Sequence, residues 1–119
     1  GSPFEASIGF SRAVRDGDVV AVSGTAPVWP GGHVDPDPLV QTRRCWEMAL
    51  GALAQLGGTP ADVVRTRTYL VTTDAADAAS VVHGEIFGAV RPASTMVVVA
   101  ALLDPRWLVE VELDAIIRG

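Results

Sequence analysis

Three acidic side chains alternate with apolar ones in the last part of the sequence, at Glu110, Glu112 and Asp114. A carboxylate held in a partly buried cleft can orient a water molecule or accept its proton, so the pattern is compatible with a hydrolytic site. The same alternation also describes the solvated face of an ordinary strand. Spacing alone leaves both interpretations open.

Other side chains that commonly carry catalysis are few. All nine basic residues are arginines, which excludes a Schiff-base lysine and a Walker-type phosphate loop. Cys45 is the single cysteine and is expected to be an inert, buried thiol. His33 and His83 are far apart and have no ligand spacing around them, so we expect no metal site and a structural role for His83.

Length and charge restrict the partners. The 119 residues suit one domain spanning the whole sequence, in which Gly1-Ser2 resembles the remnant of a cleaved tag. The formal net charge of −5 and the absence of a basic cluster predict no nucleic-acid partner. No signal peptide and no apolar run of about 18 residues is visible, so we expect no membrane association and a cytoplasmic protein.

The first part of the chain predicts a hairpin followed by a loop. Asp16-Gly17-Asp18 is a turn signal between two short extended segments, Ser11–Arg15 and Val19–Ser23. The segment Pro27–Pro38 is rich in Pro, Gly and Asp and is expected to be a loop.

A long helix is predicted next. Asp37 can cap its N-terminus, Pro38 suits the first helical position, and Gly57-Gly58 ends it. Apolar residues recur at helical spacing in between, at Leu39, Trp46, Ala49, Leu50, Leu53 and Leu56.

The rest of the chain predicts a strand, a second helix and two more strands. Val63–Thr72 is rich in β-branched residues, which predicts a strand. A helix is predicted from about Asp74 to Phe87, with Gly88 as its end. Ser94–Leu102 is almost continuously apolar, which predicts a central strand buried on both faces. Leu108–Ile117 alternates and is the last strand.

The resulting order, ββαβαββ, defines an α/β (α+β) domain of two layers. Right-handed crossovers place both helices on one face of one mixed sheet. The opposite face then has no cover within the chain, and the Ser94–Leu102 strand makes it apolar. A domain with an apolar bare face is expected to bury it against copies of itself.

Several stretches, taken in order, match segments of one family. Ile-Gly-Phe-Ser-Arg-Ala-Val at 8–14 is similar to an Ile-Gly-(Pro)-Tyr-Ser-Gln-Ala-Val segment, and Val-Ser-Gly-Thr-Ala-Pro at 22–27 to a Ser-Gly-Gln turn. The same family has counterparts of four further segments. They are Asp-Val-Val-Arg-Thr at 62–66, Gly-Glu-Ile-Phe at 84–87, Arg-Pro-Ala-Ser-Thr-Met-Val at 91–97, and Val-Glu-Val-Glu at 109–112. Together they resemble the Rid (YjgF-type) family of reactive-intermediate deaminases, formerly called L-PSP endoribonucleases.

The resemblance implies a chorismate-mutase-like (YjgF-like) fold and a homotrimer with clefts between its subunits. It also implies a small-molecule substrate and a reaction that needs no cofactor and no metal. The older family name implies RNA cleavage, and the acidic charge of this chain argues against that activity here.

In active members of this family, an arginine binds the carboxylate of a 2-imino acid, and a glutamate helps to position the attacking water. Glu110 matches the glutamate, so the resemblance makes it the catalytic candidate. Ser94 stands where the family has the arginine, and a serine cannot form an ion pair. Arg91, three residues upstream, is the alternative cation, unless it is an ordinary surface arginine.

The remaining candidates line the implied cleft. Phe10 matches a pocket tyrosine without its hydroxyl, although it could equally be a core phenylalanine. Gly24 and Thr25 belong to the turn beside the cleft, where a glycine permits close backbone approach. Met96 matches a position near the ligand, and core packing is the competing role.

Two functions remain open at this point. The first is an enamine or imine deaminase, a hydrolase whose substrate preference departs from the usual one because Ser94 replaces the arginine. The second is a non-catalytic trimer that binds small molecules or acts like a chaperone.

Overall fold

The computed structural model describes residues 4–118, so the expected tag remnant Gly1-Ser2 lies outside it. The strands are β1 (Ala13–Asp16), β2 (Val19–Thr25), β3 (Val63–Leu70), β4 (Ala93–Val98) and β5 (Val109–Ile116). The helices are a short α1 (Phe4–Ile8) and the longer α2 (Pro38–Gln55) and α3 (Ala76–Phe87). No helix among the described residues is long and apolar enough to cross a membrane.

The strands form one five-stranded mixed sheet in the order β1-β2-β5-β3-β4. Only β3 and β4 run parallel to each other, joined by α3, and every other neighbouring pair is antiparallel. Helices α2 and α3 pack together on one face. The predicted two-layer ββαβαββ fold is therefore confirmed, with the five-residue α1 added before it.

The core lies between the sheet and the two long helices. Alternate residues of β5 are buried there, as the alternating sequence predicts, and they pack with the buried side of α2 and with Val82 and Phe87 of α3. The residues of β5 and α2 that share this core are Val109, Val111, Leu113, Ala115, Cys45, Trp46, Ala49, Ala52 and Leu53.

Both predicted ends of α2 are found. The Asp37 carboxylate accepts a hydrogen bond from the Leu39 N–H at 2.8 Å, which satisfies one of the free donors of the first turn. At the other end, the Gly57 N–H bonds to the Ala54 carbonyl and the Gly58 N–H to the Leu53 carbonyl, each at 3.0 Å. Gly57 has φ +94°, so the helix closes with a Schellman turn that favours glycine.

The prediction for the fourth strand is wrong in its position. Strand β4 ends at Val98 and lies at the edge of the sheet, where it pairs only with β3, and most of its side chains are exposed within the chain. An apolar run predicts that a strand is buried, but it does not predict which neighbouring strand, helix or subunit buries it. The α3 crossover places β4 beside β3, and β5 takes the central position instead.

The sheet face opposite the long helices differs from the expected apolar surface, because its centre is polar. One Arg67 nitrogen lies 3.2 Å from an Asp114 oxygen and 3.5 Å from a Glu112 oxygen. The Tyr69 hydroxyl donates to Glu112, and this bond is the main reason why the pKa of Tyr69 is raised. Apolar character is confined to the edges, where Val97 is exposed.

The buried side chain of Gln41, in α2, is hydrogen-bonded to two loops. The Gln41 amide nitrogen donates to the carbonyls of Asp35 and Arg106, at 2.8 and 3.0 Å. Its oxygen accepts from the Leu108 N–H at 2.8 Å. Gln41 is completely buried and fully hydrogen-bonded, so it fixes both the loop before α2 and the loop that leads into β5.

Candidate functional site

A cavity of about 560 Å³ lies where α1, the end of β2, the loop after β4 and the start of β5 meet. Four of the predicted site residues line it, namely Phe10, Gly24, Thr25 and Glu110. Its apolar wall comes from Phe4, Ile8, Val28, Met48, Leu103 and Trp107. Its size and largely apolar lining are typical of pockets that bind small molecules.

Phe10 belongs to the cavity wall and not to the core. Its side chain is 41% exposed, which excludes the competing role of a core phenylalanine. It follows directly after α1, where its N–H bonds to the Glu5 carbonyl at 3.0 Å. The short helix therefore determines where this aromatic ring stands.

Gly24 and Glu110 are in close contact. A Cβ atom built on Gly24 would lie only 2.6 Å from a carboxylate oxygen of Glu110, closer than a real Cβ approaches an oxygen. The pairing of β2 with β5 shifts register between Val22 and Thr25, and this irregularity brings Gly24 to that position. The absence of a side chain at residue 24 thus leaves room for the carboxylate.

Neighbouring bonds hold the glycine segment in place. The Ser23 N–H bonds to the Arg12 carbonyl at 2.9 Å, and the Ser23 hydroxyl donates to the Ser11 carbonyl at 2.6 Å. The Thr25 hydroxyl donates to the Ser23 carbonyl at 2.9 Å, and Thr25 is buried. Residues 23–25 are therefore a rigid wall beside Glu110.

The Glu110 carboxylate is half-buried, and its pKa is raised. Loss of solvent is the larger cause, and the negative charge of Glu112 is the second. No hydrogen bond or ion pair to this carboxylate occurs within residues 4–118. A carboxylate of this kind is a stronger base than an exposed one and can take a proton from a bound water.

Three predicted residues lie elsewhere in the single chain. Ser94 and Met96 are in register with Thr66 and Thr68 of β3, whose side chains are buried on the helix-covered face. Glu110 is in register with Tyr69 and so lies on the opposite face. Met96 packs against the core, which supports its packing role, while Ser94 is exposed at the sheet edge.

Arg91 does not line the cavity. It is exposed in the turn after α3 and has φ +56°, and its N–H bonds to the Phe87 carbonyl at 2.8 Å. Within one chain, the alternative that Arg91 replaces the missing cation of the site therefore finds no geometric support.

Arg12 and Trp107 are among the cavity residues that were not predicted from the sequence. Arg12 is half-buried and is the only basic residue among the described residues that line the cavity. A signal for it existed, because Arg12 occupies the place of a glutamine in the similar segment at 8–14. Trp107 lies in the loop before β5 and offered no comparable signal.

The remaining reactive side chains serve packing. The Cys45 thiol contacts the Val109 carbonyl at 3.7 Å, and its burial raises its pKa strongly, as expected for an inert thiol. His83 shares a 2.8 Å hydrogen bond with the Thr66 hydroxyl and stacks near Trp46 and Phe87. Burial lowers the pKa of His83. Within residues 4–118, no three His, Cys, Asp or Glu side chains are grouped as a metal ion would require.

Known proteins share both the sequence pattern and the fold. The family model Endoribonuclease L-PSP matches residues 2–117. This chain belongs to that family. An uncharacterized protein of Streptomyces coelicolor is 41% identical over 117 residues, which cover 97% of this chain and 87% of the relative.

Solved structures place the chain in the same Rid family, also called YjgF/YER057c/UK114. Its member Rv2704 of Mycobacterium tuberculosis has a TM-score of 0.89 and 43% identity, over 98% of this chain and 94% of that one. The Rid protein YyfA of Yersinia pestis, whose function is unknown, has a TM-score of 0.84 and 27% identity, over 91% and 87% of the two chains. The expected YjgF-like fold is thus confirmed.

Proposed function

We propose that this Rid-family chain hydrolyses small imines or enamines in the cavity, without a cofactor, and that Glu110 activates the water. The proposal rests on one observation above all. The half-buried Glu110 carboxylate, with its raised pKa, stands against the rigid Gly24 segment in a largely apolar cavity.

The reaction needs only a water molecule and a group that moves protons. Glu110 accepts a proton from water while the oxygen attacks the imine carbon, and the C=N electron pair moves to nitrogen. The nitrogen of the resulting carbinolamine takes up a proton, which Glu110 can return. The hydroxyl proton then passes to the nitrogen, and collapse to the carbonyl product breaks the C–N bond and releases ammonia. An enamine first tautomerises to the imine.

The substrate preference should depart from that of members with the arginine, because Ser94 cannot pair with a carboxylate. A hydrogen bond to a charged group contributes about 1.5–3 kcal/mol. Hydrolysis of a simple 2-imino acid such as iminobutanoate should therefore be on the order of a hundredfold less efficient than in those members. Ser94→Arg should raise this activity if the rest of the site is intact.

We also propose that the chain functions as a homotrimer. In support, β4 is an exposed edge strand with apolar side chains at Val97 and Val98, and neither long helix covers the second face of the sheet. Light scattering coupled to size exclusion tests the assembly. A monomer at micromolar concentration would refute the homotrimer. It would also leave Ser94 far from any Glu110.

The decisive experiment is a panel of imines with and without a carboxylate, followed by the rate of carbonyl formation. Glu110→Gln should reduce kcat/KM at least about a hundredfold and preserve the fold. Glu47→Gln is the matched control, because Glu47 is an exposed partner of Arg44 and does not line the cavity. Equal activity of Glu110→Gln and the wild type would refute the proposal.

A non-catalytic role as a small-molecule-binding module is the second candidate. The observation that favours it is Ser94, which removes the usual substrate cation. Saturable binding of small ligands to the wild type, with no turnover of any imine in the panel, would establish this role instead.

A further inference from the structure

Arg12 places a positive charge at the junction of two cavities. It lines the 560 Å³ cavity that contains Glu110 and also an adjacent cavity of about 510 Å³ beside α2. Glu5 and Met48 border both cavities as well, whereas Glu110 borders only the first. Arg12 therefore stands at the end of the Glu110 cavity that opens toward α2.

The backbone of Arg12 is fixed from two sides. Its N–H donates to a Glu5 carboxylate oxygen at 3.0 Å, and its carbonyl accepts from the Ser23 N–H at 2.9 Å. Ser23 precedes Gly24, which contacts Glu110. The arginine is thus attached to the same rigid wall that positions the Glu110 carboxylate, so both ends of a bound ligand would meet a prearranged group.

The guanidinium of Arg12 has no carboxylate partner within 4.0 Å among residues 4–118. Five other arginines do have one, namely Arg15, Arg43, Arg44, Arg67 and Arg106. Arg65, Arg91 and Arg118 do not line the cavity. A half-buried guanidinium that lacks an internal counterion is suited to bind an anionic group of a ligand through paired N–H donors.

The cavity that Arg12 and Glu110 both line also has an apolar wall. Phe10, Val28 and Leu103 contribute to it, and the cavity volume far exceeds what water or a very small ligand would fill. The carboxylate of Glu110 also lines the cavity and would attract a protonated imine. The cavity therefore matches a ligand with a carboxylate at one end, an apolar middle and an iminium at the other.

We propose that Arg12 binds the substrate carboxylate, and that the preferred substrates are imines whose carboxylate is separated from the imine carbon by an apolar spacer. This inference rests on the proposed imine hydrolysis. The anion-binding group of the site would then lie on the segment before β1, and not on β4, where Ser94 stands. We expect imines with the carboxylate directly on the imine carbon to bind poorly, because they lack the spacer that would let one ligand contact both Arg12 and Glu110.

The test compares three imines generated in solution by oxidase-catalysed oxidation of the parent amines with O2: 6-iminohexanoate, the uncharged imine of hexanal, and iminobutanoate. The wild type should prefer 6-iminohexanoate. Arg12→Gln should raise KM for that substrate about tenfold to a hundredfold, with a small effect on kcat and none on the uncharged imine. Arg12→Lys should restore part of the loss, because it keeps the charge and loses the paired donors.

Arg43→Gln is the matched control, because it removes an exposed arginine on α2 that pairs with Glu85 and does not line the cavity. It should leave all three activities unchanged. The inference is overturned if Arg12→Gln affects the charged and uncharged six-carbon imines equally or affects neither. Preference for iminobutanoate over 6-iminohexanoate would also overturn it.

A binding measurement separates this inference from the proposed activity. Hexanoate and 1-hexanol are titrated into the wild type and into Arg12→Gln, and nuclear magnetic resonance follows the binding. If the wild type binds hexanoate more tightly than 1-hexanol and Arg12→Gln does not, the carboxylate-binding role of Arg12 is supported. This holds even if the protein hydrolyses no imine, and then only the proposed function fails. Equal binding of hexanoate by both proteins refutes the role of Arg12.

Discussion

Gly24→Ala is expected to damage the site without damaging the fold. The new methyl carbon would lie 2.6 Å from the Glu110 carboxylate oxygen, whereas ordinary van der Waals contact begins at 3.4 Å. The carboxylate must therefore retreat by about 0.8 Å. The clash is with the mobile end of a side chain, and Gly24 does not have the positive φ that would oppose an alanine, so the backbone can stay in place.

The functional cost follows from that displacement. Misplacement of a catalytic group by about 1 Å reduces rates on the order of a hundredfold, so we expect kcat/KM for the best imine to fall about tenfold to a hundredfold. This corresponds to roughly 1.4–2.7 kcal/mol of transition-state stabilisation. The free energy of unfolding should change by no more than about 1 kcal/mol, because alanine restricts the unfolded chain while the carboxylate moves aside.

The assays are imine hydrolysis and urea denaturation of the same preparations. Gly84→Ala is the control, since Gly84 is inside α3 and a Cβ there would meet nothing within 4 Å. That variant should keep full activity and gain about 0.5–1 kcal/mol of stability. Undiminished activity of Gly24→Ala would show that the position of the Glu110 carboxylate does not control the reaction.

Three further predictions concern buried groups. Gln41→Leu leaves the Leu108 N–H and two carbonyls without a hydrogen-bond partner, so it should lower the free energy of unfolding by about 2–4 kcal/mol, as measured by urea denaturation. The control is Gln55→Ala at the exposed end of α2, which should change this free energy little. Burial and a nearby carboxylate raise the pKa of Glu110 above its ordinary 4.5. The folded protein therefore binds the Glu110 proton more tightly than the unfolded chain does, and the wild type loses stability as the pH rises from 4.5 through the raised pKa. Glu110→Gln lacks this loss, so its stability relative to the wild type should increase as the pH rises above 4.5, and a difference that stays constant with pH would contradict the assignment. Cys45 should react with a thiol reagent only after denaturation, and rapid reaction of the native protein would mean that its surroundings open easily.

The sequence was sufficient for the fold because its signals were local and agreed with one another. The Asp37 cap, the glycine pair after α2 and the alternation of β5 each depend on a few neighbouring residues, and each is found in the structure. The position of β4 was not predictable in this way. The order of strands in a sheet depends on which distant segment pairs with which, and an apolar run carries no information about that.

The site was only partly predictable for a related reason. Glu110 and Gly24 were found through short similar segments, but their contact depends on a register shift between β2 and β5 that neither segment reveals. Within one chain Ser94 lies on the other face of the sheet, and short similar segments do not specify the face. Arg12 was overlooked because a cation was expected only where the family has its arginine, although Arg12 lines the cavity.

The central position of β5 has a consequence for biosynthesis. Strands β1 and β2 form one antiparallel pair and β3 and β4 form a parallel one, yet within the sheet the two pairs are hydrogen-bonded only through β5, which follows them in the chain. Until β5 emerges from the ribosome, two unconnected half-sheets expose their edges, and exposed edges favour wrong pairing between chains. Completion of the domain must therefore be a late event, and premature termination before Val109 should yield aggregates, whereas loss of α1 should still permit folding.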